Sequence, residues 1–135
     1  MKFLLDTDAC IEVLRGNPKA VARLAAGAPD DYGVSTVTIF ELMAGAERCR
    51  HPAAETSKVD LILEPMHILP FDTDSAREAA RIRWALERVG RPIGPYDLML
   101  AAQAIVVDVP LVTHNRAEFA RVPGLRLEDW LTDGT

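Results

Sequence analysis

The first apolar run in the chain, Phe3-Leu4-Leu5, stops at Asp6. Such a run is too short for a helix, and no polar residue alternates within it, so Lys2 to Leu5 reads as a short buried strand. Comparable strand signals return at Tyr32 to Ser35, His67 to Leu69 and Leu111 to Thr113, with helical spacing in between. This alternation predicts an α/β fold with a parallel sheet.

The helical stretches have readable ends. Asp8 to Arg15 is closed by Gly16, and Pro18 starts a second helix running to about Ala26. Thr36 to Arg48 is a third, with Ser35 or Thr36 as N-cap, and Ala53 to Leu63 a fourth. Asp74 is expected to cap a long helix ending near Val89, with Gly90 beyond it. Pro95 to Val107 reads as an apolar helix, Asn115 to Phe119 as a helical turn and Leu125 to Leu127 as a last edge strand. Internal repeats and low-complexity segments are absent from the sequence.

Composition narrows the classes. A length of 135 residues, 49% of them hydrophobic, suits one compact domain over residues 1–135 with a substantial core. The longest apolar stretch, Leu98 to Val107, is interrupted by Gln103 and falls well short of the ~20 residues of a membrane helix. The apolar run after Met1-Lys2 is too short for a secretory signal, so a cytoplasmic protein with no membrane association is expected. Cys10 and Cys49 make neither a disulfide framework nor a zinc site. A net charge of −5 argues against holding nucleic acid by bulk electrostatics. Action on RNA would need metal ions and a local basic patch, and the acidic total suits a basic partner.

Three carboxylates stand out. Asp6 sits where a buried strand delivers its C-terminal end, the edge at which open α/β sheets bind ligands; capping the next helix is the alternative. Glu41 shares a helical face with Val37 and Ala44 on a stretch apolar nearly all round, where an unpartnered charge is costly. Gly45 leaves space beside it, and an ion pair with Arg48 is the alternative. Asp97 lies at the start of an apolar helix, as a ligand, a cap or both. Clustered carboxylates raise one another's pKa unless a cation is present. An all-oxygen set selects Mg²⁺ or Mn²⁺ over zinc. His51, His67 and His114 lack metal-ligand spacing and read as surface or strand-end residues.

The ordered set Leu4-Leu5-Asp6-Thr7-Asp8, Ser35-x-Val37-Thr38-x-x-Glu41-Leu42-x-x-Gly45, Gly94-Pro95-x-Asp97-x-x-x-Ala101-Ala102 and Val112-Thr113-x-Asn115-x-x-Glu118-Phe119 resembles the PIN domain. Within that family it looks like the VapC-type toxins of bacterial VapBC toxin–antitoxin pairs, as does the tail Arg121-Val122-Pro123-Gly124-Leu125 with Glu128-Asp129-Trp130. The resemblance spans nearly the whole chain. It implies a three-layer α/β/α domain with a central parallel sheet. It also implies endoribonuclease activity on structured RNA, either transfer or ribosomal, and an antitoxin partner of VapB type. The antitoxin would combine a DNA-binding part with a flexible tail that inserts a basic residue among the acids. A homodimer is expected as well.

By the same resemblance Asp6, Glu41 and Asp97 are family acids. Many PIN domains carry a further Asp where this chain has Asn115, and Glu118 looks like the remaining acid. Asp6 and Asp97 are then the metal ligands, with Glu41 completing the set directly or through water. Thr7, Thr113 and Asn115 would orient ligands, water or substrate, with an ordinary strand-end hydroxyl the alternative for each threonine. Arg77, Arg81, Trp84 and Arg88 form a stripe at helical spacing that reads either as an RNA contact or as a solvated face diluted by Glu78 and Glu87. Leu4 to Asp8 also resembles the first motif of haloacid-dehalogenase-type phosphatases. That motif, however, expects Thr or Val at Cys10 and a later Lys before an acidic pair, and it leaves Glu41 idle. An inactive PIN scaffold that binds nucleic acid is the non-enzymatic alternative.

Overall fold

The computed structural model describes residues 1–132. Its chain order is β1 (Phe3–Leu5), α1 (Thr7–Leu14), α2 (Pro18–Ala26), β2 (Tyr32–Ser35), α3 (Thr36–Glu47), α4 (Pro52–Leu63), β3 (His67–Leu69), α5 (Thr73–Arg88), α6 (Pro95–Val107), β4 (Leu111–Val112), α7 (Arg116–Phe119) and β5 (Leu127–Glu128). The strands pair in parallel in the order β3-β2-β1-β4-β5. From β1 the chain builds outward on one side through β2 and β3. It then returns to the other side for β4 and β5. The C-terminal ends of β1 and β4 are therefore the topological switch point, where the crossovers diverge and leave a crevice.

Side chains alternate across a strand, so adjacent residues serve opposite layers. Leu4 and Leu111 pack with Ile82, Leu86, Leu98, Ala101 and Phe119 on the α5–α6 side. Leu5 and Val112 pack with Cys10, Val34, Leu42, Val59 and Trp130 on the other, under α1, α3 and α4. The sheet thus lies between two helical layers, the α/β/α arrangement expected. Burying Leu4 and Leu5 completely contributes roughly 1.5–3 kcal/mol each. Gln103, the polar break in the apolar stretch of α6, is fully buried. Its amide donates to Leu69 O and Pro70 O, both at 3.2 Å, and ties α6 to the end of edge strand β3.

Two local expectations are corrected. The cap of α5 is Asp72, whose carboxylate accepts from Ser75 N at 2.9 Å, and Asp74 lies inside the first turn. The last strand is Leu127–Glu128 rather than Leu125 to Leu127. Gly124 takes φ +81° and Leu125 N reaches back to Val122 O, so the chain is still turning at Leu125. Both cysteines are free. No helix among the described residues is long and apolar enough to cross a membrane.

Candidate active site

The backbone N–H of Asp6 donates to Val112 O at 3.0 Å, which pins the residue at the switch point between β1 and β4. Its side chain is 2% exposed and accepts from Ala9 N at 2.7 Å, so Asp6 does cap α1. Capping occupies one oxygen and leaves the charge without a cation. Burial pushes the carboxyl up to about 7; hydrogen bonds from Thr113 and Ala9 oppose the shift, while the charges of Asp8 and Asp97 add to it.

Asp97 arrives from the other helical layer. The N-cap of α6 is Gly94, so Asp97 is not a cap; it stands in the first turn. Its carboxyl is also pushed up to about 7, first by burial, then by the charges of Glu118 and Asp8, a hydrogen bond with Glu118, and the charge of Glu41. Glu118 shifts the opposite way. It accepts from Gly94 N and from Asn115 Nδ2, each at 2.8 Å, and these bonds and Asp97 hold its carboxyl below the usual range. Asn115 therefore does not replace an acid; it steadies one.

Glu41 is half-buried on α3 and accepts from the Thr7 hydroxyl at 2.6 Å. Thr7 is also paired with Thr38 Oγ1 at 3.1 Å, and Thr38 is fully buried. The Arg48 alternative does not hold, because its Nε donates to Ala44 O at 3.3 Å. Open space surrounds the Gly45 Cα where a Cβ would stand. Glu41 and Gly45 line a groove with Ile11, Leu14 and Val59, between α1, α3 and α4. Thr113 is buried, accepts from Asn115 N at 2.9 Å and bonds the Asp6 carboxyl.

The structure thus brings Asp6, Glu41, Asp97, Glu118, Thr7, Thr113 and Asn115 to one end of the sheet. Asp8 and Thr38 are additions. Asp8 lies in the first turn of the helix that Asp6 caps, and its charge acts on both Asp6 and Asp97. The spacing Asp6-x-Asp8 at a strand end was the available signal for it. The Arg77, Arg81, Trp84 and Arg88 stripe is exposed on α5, and Arg81 pairs with Glu78, which fits a solvated face.

Among the described residues, no lysine or arginine forms an ion pair with Asp6, Glu41 or Asp97. Nor do any three His, Cys, Asp or Glu side chains among them stand close enough to enclose one ion. This donor set fits a hard cation such as Mg²⁺, which is held through one or two carboxylates while its other positions take water and phosphate oxygens. Two carboxyls that resist ionisation until a cation arrives are the chemistry such a site needs.

A family model described as the PIN domain matches residues 3–125. The chain is 35% identical to the tRNA(fMet)-specific endonuclease VapC of Salmonella typhimurium, over 96% of this chain and 98% of that protein. It is 31% identical to Ribonuclease VapC2 of Rickettsia felis, over 96% and 98%. The solved structure of DNA-bound VapBC from Salmonella typhimurium superposes with a TM-score of 0.92 at 36% identity, covering 96% of this chain and 98% of that one. VapBC2 from Rickettsia felis, bound to a fragment of its promoter DNA, gives 0.89 at 30% identity, covering 96% and 99%.

Proposed function

The chain belongs to the PIN domain family, and from that premise we propose that it is the toxin of a type II toxin–antitoxin pair. Its activity is divalent-metal-dependent endoribonuclease cleavage of structured RNA in the cytoplasm, with Mg²⁺ as the cofactor and Mn²⁺ able to replace it. The naming of its relatives as tRNA(fMet)-specific endonucleases makes transfer RNA the first substrate to test. A VapB-type antitoxin is the partner, as VapBC complexes are among the similar solved structures.

The observation that carries the reading is the pair Asp6 and Asp97, two carboxyls from opposite helical layers at one end of the sheet, with the charge of Asp97 acting on Asp6 and each pushed up to about 7. Together they would hold the cation. When bound, it supplies Lewis-acid chemistry, lowering the pKa of a water and offsetting charge on the phosphate under attack. The rest falls to the chain. Thr7 fixes Glu41 so that its free oxygen can accept a proton from the attacking water. Thr113 and Ala9 N–H hold Asp6 in one rotamer. Glu118, fed by Gly94 and Asn115, keeps the Asp97 carboxyl in place. Glu41, which the phosphatase motif leaves idle, is held by Thr7 at the same end of the sheet.

Incubation of the purified, antitoxin-free protein with bacterial tRNA and ribosomal RNA, with Mg²⁺ or with EDTA, tests the reading. Cleavage with metal alone is expected. Intact RNA in both would leave the inactive nucleic-acid-binding scaffold. The protein should also be a homodimer. Phe40 and Tyr96 are 54% and 42% exposed with ring centroids 5.6 Å apart, apolar surface that a second copy would cover. Sedimentation at micromolar concentration reads this directly.

A further inference from the structure

We propose that the groove between α1 and the turn after β4 is a ribose subsite, in which His114 Nε2 accepts a hydrogen bond from a 2′-hydroxyl of the RNA. The inference rests on the ribonuclease reading above and assigns a substrate contact to a residue outside the acidic cluster.

His114 follows Thr113 at the sheet edge, and its side chain is 60% exposed. Its Nδ1 lies 3.0 Å from Asp129 Oδ2. Asp129 is 1% exposed, and its Oδ1 accepts from Leu131 N at 2.9 Å. A carboxylate only accepts, so the proton in the His114–Asp129 bond sits on Nδ1. With Nδ1 as the donor in that bond, Nε2 on the ring's outer edge is the nitrogen that faces a ligand. A buried carboxylate that orients an exposed imidazole in this way does not bury apolar surface; it fixes which nitrogen faces outward and with what chemistry.

The groove that His114 lines, of about 390 Å³, is completed by Asp8, Glu12, Arg15, Asn115 and Leu131. This is within the roughly 300–1,000 Å³ of small-ligand pockets. Its net acidic lining disfavours a bare phosphate. Asp8 and Glu12 are both acidic, and the guanidinium of Arg15 is 3.7 Å from Glu12. A neutral hydroxyl donor is compatible with that lining, and Leu131 gives the sugar an apolar contact. The groove is continuous with the acidic cluster at two points. Asp8 acts electrostatically on Asp6 and Asp97, and Asn115 donates to Glu118. The ribose of a nucleotide close to the reacting phosphate therefore lies within reach. The 2′-hydroxyl is the group by which a protein tells RNA from DNA at a given site, so His114 would help confine the enzyme to RNA.

The test uses synthetic RNAs that span a cleavage site mapped in bacterial RNA, with its flanking stem. Each carries one 2′-deoxy or 2′-fluoro nucleotide near the cut. At one position, 2′-deoxy should lower wild-type kcat/KM about three- to ten-fold, the worth of one hydrogen bond. A 2′-fluoro group, which does not donate, should act the same way there. His114→Ala should cleave the all-RNA strand as slowly as wild type cleaves the modified one, and it should be indifferent to the modification. His114→Gln, which keeps an acceptor, should recover part of the discrimination. Equal sensitivity of wild type and His114→Ala at every position near the cut overturns the inference while leaving the ribonuclease reading intact. Wild-type protein that leaves RNA uncut overturns both. Unchanged melting temperature and Mn²⁺ affinity in His114→Ala show that the variant is folded with its acids in place.

Discussion

Asp97 and Glu118 share a hydrogen bond across the end of the sheet, and the two carboxyls are driven in opposite directions. Burial and the neighbouring acids push Asp97 up to about 7, while Gly94 N–H and the Asn115 amide hold Glu118 low. Two charges there would repel, and the pair takes up a proton more readily than two separate carboxyls would. In the proposed metal site, a cation displacing that proton would make Asp97 a ligand and Glu118 its support.

That relationship gives the metal-free protein a characteristic pH dependence. Asp6 and Asp97 titrate near 7 in the fold, against the ordinary value of 3.8. Between those values the folded chain holds protons that the unfolded chain has released. Their contribution to stability is therefore present in full below about pH 4 and lost as the pH rises through about 7. Asp6→Asn removes that loss and keeps an acceptor for Ala9 N, since Asn caps as well as Asp. At pH 8 without metal it should be more stable than wild type by about 1–3 kcal/mol. Asp97→Asn should show a smaller gain, because Asp97 is only half-buried. The gap should narrow by about half toward pH 5.5, close only near pH 4, and shrink on addition of Mg²⁺ to wild type. Thermal melts at both pH values check it, and both variants should be inactive on RNA.

Thr7 holds Glu41 through a bond of 2.6 Å between residues far apart in sequence. Thr7→Val keeps the shape and deletes the donor. It should lower kcat by about ten-fold, the equivalent of ~1.4 kcal/mol, with little change in Mn²⁺ affinity, since Glu41 is released rather than removed. Thr7→Ser should recover most of the rate. Single-turnover cleavage of the mapped RNA by the two variants separates these outcomes.

Much of the site was legible because its acids break apolar patterns. Asp6 ends an apolar strand, Glu41 interrupts an apolar helix face and Asp97 opens a buried helix. Such residues are conspicuous because burying a carboxylate needs a reason. What escaped had no such contrast. Asp8 is an exposed acid in a first helical turn, an ordinary place for one. Thr38 looks like helix packing until Thr7 folds against it. The His114–Asp129 pair joins residues on two strand ends that only the β4–β5 register brings together. Asp72 and Asp74 are chemically equivalent as caps, and only the path of the backbone decides between them.

The groove beside α3 makes a prediction about the antitoxin. Its walls include Ile11, Leu14, Leu42 and Val59, and Glu41 sits in its lining beside the acidic cluster. An apolar helical tail fits such a groove. An Arg at its end would meet the carboxylates in place of the cation, because the guanidinium fork binds carboxylate bidentately. Antitoxin affinity should fall about ten-fold or more in Glu41→Gln and in Asp6→Asn, in line with a lost charge-assisted bond of ~1.5–3 kcal/mol. Calorimetric titration of each variant with the antitoxin checks it, and unchanged affinity in both would put inhibition elsewhere on the surface.

The claim on which the rest depends is that Asp6 and Asp97 together hold the divalent cation. Titration of Mn²⁺ into the purified protein, followed by the electron paramagnetic resonance of the free ion, measures this without an RNA substrate. Wild type should show saturable binding that strengthens from pH 6 to pH 8, as protons leave Asp6 and Asp97. Asp6→Asn and Asp97→Asn should each lose it while remaining folded. Binding of wild-type strength in both variants would contradict the assignment.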